Sequence, residues 1–178
     1  MTRVEEVVSQ KELKRVFSIR LRVFVREQGV PEEIELDRDD QRATHLVARI
    51  RGRAVGTARV VVKNGRAKIG RMAVLKSHRC KGAGKALLKR AIEFARKSTV
   101  KTIYLHAQIP VIGFYERMGF HCVGRVFKEA GIPHRKMVFS HIANRSFGTH
   151  QPAARPGQPR GRDHRPRKRA TAKSIRHV

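Results

Sequence analysis

The chain has 178 residues, 40% of them hydrophobic, which is enough for one ordinary domain with a buried core. Its net charge of +27 attracts anions in general, so nucleic acid, a membrane surface and a phosphorylated cofactor all stay open as partners. The composition argues against a membrane span and a secretory signal, and two cysteines exclude a disulfide framework or a zinc site; we expect a cytoplasmic protein that needs no metal.

The first part of the chain predicts a strand, a helix and an acidic segment. Residues 4–8 read as an opening strand. Ser9 and Glu12 have the spacing of a capping box, so a helix is expected to begin there and to continue to about Arg26, before Gly29 and Pro31. Residues 32–43 are predicted to be irregular. Their acids form either a solvated loop or a surface that holds a cationic substrate.

The middle of the chain predicts an antiparallel meander over residues 46–50, 55–62 and 66–75. Asn64-Gly65 between the last two runs is typical of a type I′ hairpin turn. A helix with one apolar face is expected over residues 82–97. A strand over residues 103–107, a short helix between Pro110 and Gly119, and closing strands over residues 120–126 and 136–139 follow.

This order predicts a mixed α/β (α+β) domain over residues 1–143, built on a central sheet. Residues 144–178 are rich in Arg, Pro, Gly and His and carry no apolar period. Such a segment cannot bury enough surface to offset its ordering entropy, so it is predicted to be a disordered basic tail. Weak binding of polyanions is its expected property.

The chemistry is concentrated where the strand over residues 69–75 runs into a loop with glycines and basic residues that opens a helix. First-turn amides without internal partners and the helix dipole favour an anion there, and Gly82 and Gly84 let a phosphate approach the backbone. A Walker loop would need Ser or Thr where Ala86 stands, and a Rossmann fingerprint would need glycine at Leu87. The pattern predicts a pyrophosphate site of another class.

Two motifs resemble those of the GNAT acetyltransferases. Arg79-x-x-Gly82-x-Gly84, after a strand that ends Met72-Ala73-Val74, resembles motif A of that family. Residues 114–120 resemble its Phe-Tyr-x-x-x-Gly-Phe signature, and the two lie one helix and one strand apart. The resemblance covers roughly residues 2–140. Within the family, residues 23–28, 35–37, 105–108 and 131–134 look most like the ElaA/YjcF-type group.

The resemblance implies a twisted, mostly antiparallel sheet flanked by helices, with acetyl-CoA as cosubstrate and no metal. It implies that the backbone of Met72, Ala73 and Val74 pairs with the pantetheine arm. The pyrophosphate would be held by the backbone from the motif A loop: Arg79, Cys80, Lys81, Gly82, Ala83, Gly84 and Lys85. Tyr115 matches the general acid of the family, and its alternative is a half-buried packing residue. Gln108 stands where family members often carry Asn, which leaves its contact with the cofactor open.

The acceptor implied is a small-molecule or peptide amine that attacks the thioester directly. An ammonium must first lose a proton, and Glu35, His106 and His134 are the candidate bases, each with a structural alternative. His106 is predicted to share a strand face with Tyr104 and Gln108. A homodimer is compatible with the family. Two alternatives stay open: a basic nucleic-acid-binding protein, which lacks the usual motifs, and a degenerate GNAT fold that binds CoA or a partner without catalysis.

Overall fold

The computed structural model describes residues 1–140, so the predicted tail over residues 144–178 lies outside the described residues. These residues form a seven-stranded sheet of order β1-β2-β3-β4-β5-β7-β6, with neighbours antiparallel except for the parallel pair β4–β5. The strands are β1 (Thr2–Glu6), β2 (Thr44–Ile50), β3 (Arg53–Lys63), β4 (Arg66–Val74), β5 (Thr102–Gln108), β6 (Phe120–Glu129) and β7 (Ile132–Phe139). The predicted fold class and the meander are confirmed.

The helices of the described residues are α1 (Gln10–Arg20), α2 (Glu32–Glu35), α3 (Ala83–Lys97) and α4 (Ile112–Glu116). The Ser9 hydroxyl accepts the amide of Glu12 at the predicted start of α1, but the capping box is not closed, because the Glu12 carboxylate bonds Arg49. α1 continues as a π-helical segment, Leu21–Glu27. The acidic segment was predicted to be irregular, and this was wrong, because it contains α2 and a 3₁₀ turn at Arg38–Gln41.

Hairpin turns explain where sequence patterns succeed and where they fall short. Asn64 and Gly65 have φ of 50° and 67°, the type I′ values that the Asn-Gly pair predicts. The β6–β7 hairpin turns instead at Ala130 and Gly131, with φ of 49° and 78°. An Ala-Gly pair is a weak turn signal, since Ala rarely adopts positive φ. The two closing strands are therefore longer than predicted.

Helices cover both faces of the sheet and bury two apolar clusters. The face of α3 that carries Leu87, Leu88 and Ala91 packs against β1 to β4 in the larger cluster, which includes Leu46. His45, the neighbour of Leu46, points to the other face, where Phe17 of α1 meets its ring edge to face at 5.7 Å. Each fully buried Leu side chain stabilises the fold by about 1.5–3 kcal/mol relative to an exposed one.

The two parallel strands separate along their length, and this positions the site. The ladder between β4 and β5 joins residues 66–69 to residues 102–105 and ends there. Beyond it, a bulge at Arg71, whose φ is 49°, redirects β4 while Ala73 and Val74 stay paired with β3. The far edge of β4 over residues 72–74 therefore faces an opening.

Candidate active site

One cavity of about 150 Å³ lies where β4 and β5 separate. All four residues proposed as catalytic from the sequence line it, although 99 positions separate the first from the last: Glu35, His106, Tyr115 and His134. Met72 of the proposed cofactor-binding strand lines it as well. The cavity therefore brings the candidate acid, the candidate bases and the end of the cofactor strand to one place.

Tyr115 lies on α4 with its ring in the core and 6% of its surface exposed. Its ring packs edge to face against Phe114 and Phe120, with centroids 5.0 and 6.1 Å away. The hydroxyl donates to the Met72 Sδ at 3.7 Å, its partner among the described residues. Burial raises the pKa of Tyr115, so the phenol keeps its proton at neutral pH. A thioether is a weak acceptor, which leaves this proton available to a stronger one.

His106 points to the cavity face of β5, as the strand period predicts, because Ile103, Leu105 and Ala107 are buried on the opposite face. Its Nδ1 lies 2.8 Å from the Glu129 Oε2. The hydrogen bond from His106 and the charge of Lys68 lower the pKa of Glu129 to about 2, against the effect of burial. Glu129 was not singled out from the sequence, and no local signal relates it to a histidine 23 residues away.

His134 lies on β7 opposite Gln108 and is 8% exposed. Its Nδ1 is 2.7 Å from the backbone oxygen of Ile132, so the ring N–H donates to that carbonyl. The ring stacks on Phe127 with the centroids 6.1 Å apart. A neutral imidazole held in this way keeps a lone pair on Nε2.

Glu35 is 2% exposed, and each of its carboxylate oxygens has a guanidinium partner. Arg20 Nε lies 2.6 Å from Oε1, and Arg71 Nε lies 2.9 Å from Oε2. Burial raises the pKa of Glu35, and the charges of the two arginines oppose that rise. The Glu35 carboxylate therefore neutralises two guanidiniums of its own chain, although it borders the cavity.

Two other acids of this segment, Asp37 and Asp40, also pair with arginines of the chain. Arg59 Nη1 lies 2.7 Å from both the Asp37 and the Asp40 carboxylates, and Arg20 Nη1 lies 2.6 Å from Asp40. Burial acts to raise the pKa of Asp40, but hydrogen bonds from Arg20 and Arg59 lower it to about 2. The solvated-loop interpretation is therefore wrong for Asp37 and Asp40, whose charges are matched within the chain, whereas Glu32, Glu33 and Asp39 are exposed as it expects. A role of this segment in holding a cationic substrate stays a prediction.

The motif A loop follows β4 and leads into α3. Gly82 is the N-cap of α3 with φ of 83°, and a glycine offers no side-chain oxygen to the first-turn amides of Ala83, Gly84 and Lys85. A Cβ built on Gly82 would have nothing within 4 Å, so space for an anion adjoins the backbone. These features fit a phosphate group, as the sequence predicts.

The basic side chains of this loop differ in their availability. Arg79 donates from Nε to the Val74 carbonyl at 2.9 Å and from Nη2 to Glu27 at 2.5 Å, so it braces the loop against β4. The charge of Arg79 at this loop is therefore paired with Glu27, and the backbone contact of Arg79 with a pyrophosphate stays a prediction. Lys81 Nζ donates to the Ser77 carbonyl at 2.9 Å, and Lys85 is exposed. Sequence spacing could not reveal that Glu27 neutralises Arg79, because 52 residues separate them.

Within residues 1–140, no three His, Cys, Asp or Glu side chains form a group that could hold a metal ion. In the same part of the chain, no helix has the length and apolar character required to cross a membrane.

The family model for the acetyltransferase (GNAT) domain matches residues 5–141. The chain belongs to the GNAT family. The uncharacterized N-acetyltransferase YjcF of Bacillus subtilis (strain 168) is 35% identical over 131 residues, which is 73% of this chain and 94% of that protein. A GNAT enzyme is an acyltransferase, so the expected enzyme class is confirmed, and the nucleic-acid-binding alternative is not favoured.

Solved structures agree. The crystal structure of an acyl-CoA N-acyltransferase from Pseudomonas aeruginosa has a TM-score of 0.69 at 30% identity and covers 79% of this chain and 99% of its own. Escherichia coli ElaA has a TM-score of 0.71 at 27% identity and covers 79% of this chain and 100% of its own. The expected resemblance to the ElaA/YjcF-type group is confirmed.

Proposed function

We propose that this GNAT protein transfers an acetyl group from acetyl-CoA to a primary amine, which attacks the thioester directly. The observation that carries the proposal is the open edge of β4 beside Tyr115 at the wall of the cavity. A thioester laid along that edge would bring its sulfur to the phenol and its carbonyl to the cavity. The acyl-CoA N-acyltransferase named among the similar structures supports acyl-CoA as donor.

The donor site has two parts. The backbone of Met72, Ala73 and Val74 presents about 10 Å of strand edge that β5 leaves uncovered, along which the pantetheine amides can bond like an added strand, although Arg79 already donates to the Val74 carbonyl. The pyrophosphate fits at the first turn of α3, where the backbone from Arg79 to Lys85 approaches it. Oxyanion stabilisation would come from the amide of Ala73 or Val74.

The acceptor nitrogen must lose two protons, and the reaction needs no enzyme nucleophile. A base in the cavity takes one proton from the acceptor ammonium, and the free amine nitrogen then bonds to the thioester carbon. As the carbon–sulfur bond breaks, Tyr115 gives its proton to the departing sulfur, and the second proton lost by the nitrogen replaces it. Burial raises the pKa of Tyr115, so this transfer is uphill and depends on orientation beside the sulfur.

The acceptor is a small-molecule or peptide amine whose reactive end fits a cavity of about 150 Å³. Its walls are apolar at Val61, Ile69 and Val111 and carry paired charges elsewhere. A homodimer, the cytoplasmic location and weak polyanion binding by residues 144–178 stay predictions.

A panel of amines tests the proposal, with CoA release from acetyl-CoA as the readout. The panel contains spermidine, tyramine, glucosamine, lysine and a short peptide with a free N-terminus. Tyr115→Phe removes one oxygen from a buried ring, so it should fold normally and lose at least about tenfold in kcat, with the KM for acetyl-CoA little changed.

Tyr104→Phe is the matched control. Tyr104 lies on β5 outside the cavity lining, with the Lys136 Nζ 5.0 Å from its ring. Its turnover should equal that of the wild type. A Tyr115→Phe variant with wild-type turnover would show that another group protonates the sulfur. No CoA release from any amine, with acetyl-CoA bound, would favour a degenerate GNAT fold.

A further inference from the structure

Three side chains from three strands form a polar chain at the cavity: Lys68 of β4, His106 of β5 and Glu129 at the end of β6. His106 Nδ1 lies 2.8 Å from one oxygen of Glu129, and the Lys68 Nζ lies 3.7 Å from the other. Each oxygen of this carboxylate therefore has a partner, and the partner of one of them is the ring of His106.

Packing fixes the ring as well. Phe127 meets His106 edge to face with the centroids 4.8 Å apart. Phe127 and Glu129 come from the same strand at a spacing of two, so they lie on one face of β6. The β6–β7 hairpin thus supplies both contacts that orient His106.

The hydrogen bond selects a tautomer. Glu129 stays ionised because its pKa is lowered to about 2, and a carboxylate can only accept, so the Nδ1 of His106 carries the proton. Among the described residues, Nε2 of His106 has no hydrogen-bond partner. Its lone pair is free to take a proton from a molecule in the cavity.

The other two candidate bases are less suited. Both oxygens of Glu35 are occupied by Arg20 and Arg71, so protonating it would break buried ion pairs. His134 also has a free Nε2, but its Nδ1 donates to a neutral carbonyl, which stabilises an imidazolium less than a carboxylate does.

We propose that His106 is the general base of the acetyl transfer and that Glu129, held by Lys68, is the residue that positions it. This rests on the proposed function. Nε2 takes one proton from the acceptor ammonium, and the Glu129 carboxylate stabilises the imidazolium that forms. After attack and loss of the thiolate, His106 returns that proton to water. The second proton of the nitrogen restores Tyr115, so the products of the overall reaction are one amide, one thiol and one released proton.

The test compares single variants on the panel amine with the highest kcat/KM. His106→Ala should lose about 100-fold in kcat and keep the wild-type dissociation constant for acetyl-CoA. Free imidazole in the buffer should restore its kcat at least about tenfold, because it can supply the missing base. Glu129→Gln should lose at least about tenfold in kcat with little change in the KM for the amine.

Two controls match these changes. His121→Ala removes an exposed histidine that contacts Ser140 outside the cavity, and Glu93→Gln removes an exposed carboxylate on α3; both should behave as wild type. If His106→Ala were too unstable to assay, His106→Asn would replace it, since an amide can still donate to Glu129.

Each other outcome has one meaning. His106→Ala with near wild-type kcat, or a folded variant that binds acetyl-CoA but is not restored by imidazole, would overturn the base assignment. Restoration by imidazole in His134→Ala instead would move the base to His134. A wild-type protein that releases no CoA with any amine would refute the proposed function itself, which is a different result.

Discussion

Replacement of Glu35 by Gln separates the structural role of this residue from a catalytic one. Glu35 is 2% exposed and balances two guanidiniums, of which that of Arg20 has no exposed surface. Breaking a buried ion pair by removing one partner costs about 3–5 kcal/mol. Gln can still accept a hydrogen bond, and the backbone oxygen of residue 35 keeps its contacts with Arg20 and Arg71. We therefore expect Glu35→Gln to lower the free energy of unfolding by about 3 kcal/mol, the lower end of this range.

For a domain of this size, each kcal/mol lowers the thermal midpoint by roughly 3 °C, so Glu35→Gln should lower it by about 10 °C. Circular dichroism during heating measures the shift. Glu33→Gln, on the exposed side of the same helix, should stay within about 0.5 kcal/mol of the wild type. Acetyl transfer measured well below the midpoint should fall far less than the roughly 100-fold loss expected for a missing base. An unchanged midpoint with abolished turnover would refute the structural role and restore Glu35 as the base.

Three further outcomes are expected. Gly82→Ala puts a Cβ into the open space at the N-terminus of α3, so it should raise the dissociation constant for acetyl-CoA at least about tenfold, as measured by titration calorimetry. The control Gly52→Ala changes a glycine with a similar φ of 76° in a hairpin turn and should only lower stability. A chain truncated after Ala143 should keep its kcat and thermal midpoint, because the family match ends at residue 141; loss of turnover at an unchanged midpoint would give residues 144–178 a role in the site. Asp40 has a native pKa of about 2 against an ordinary 3.8, so it contributes about 2 kcal/mol of stability above pH 3.8, which is lost as the pH falls toward 2. In urea unfolding over that pH range, the free energy of unfolding should decline more steeply in the wild type than in Asp40→Asn.

The sequence by itself determined the order of elements, most of their limits and the family. Asn64-Gly65 specifies its turn because both residues tolerate positive φ, and Ser9 with Glu12 specifies the start of α1 through bonds within one turn. The apolar faces of α3 and β5 follow from periods of about 3.6 and 2 residues. Each of these signals is local, so the chain carries it without reference to distant parts.

Only the tertiary structure decided which charges meet. Glu35 and His106 were both plausible bases in the sequence, and the fold separates them: two arginines occupy Glu35, while Glu129 leaves one nitrogen of His106 free. The Arg79 side chain of the motif A loop bonds Glu27, a partner that the sequence did not indicate. These pairs join residues 15 to 52 positions apart, and their contacts depend on helix packing and on the register of the β6–β7 hairpin. Ion pairing depends on distance in space, and no local pattern encodes that distance.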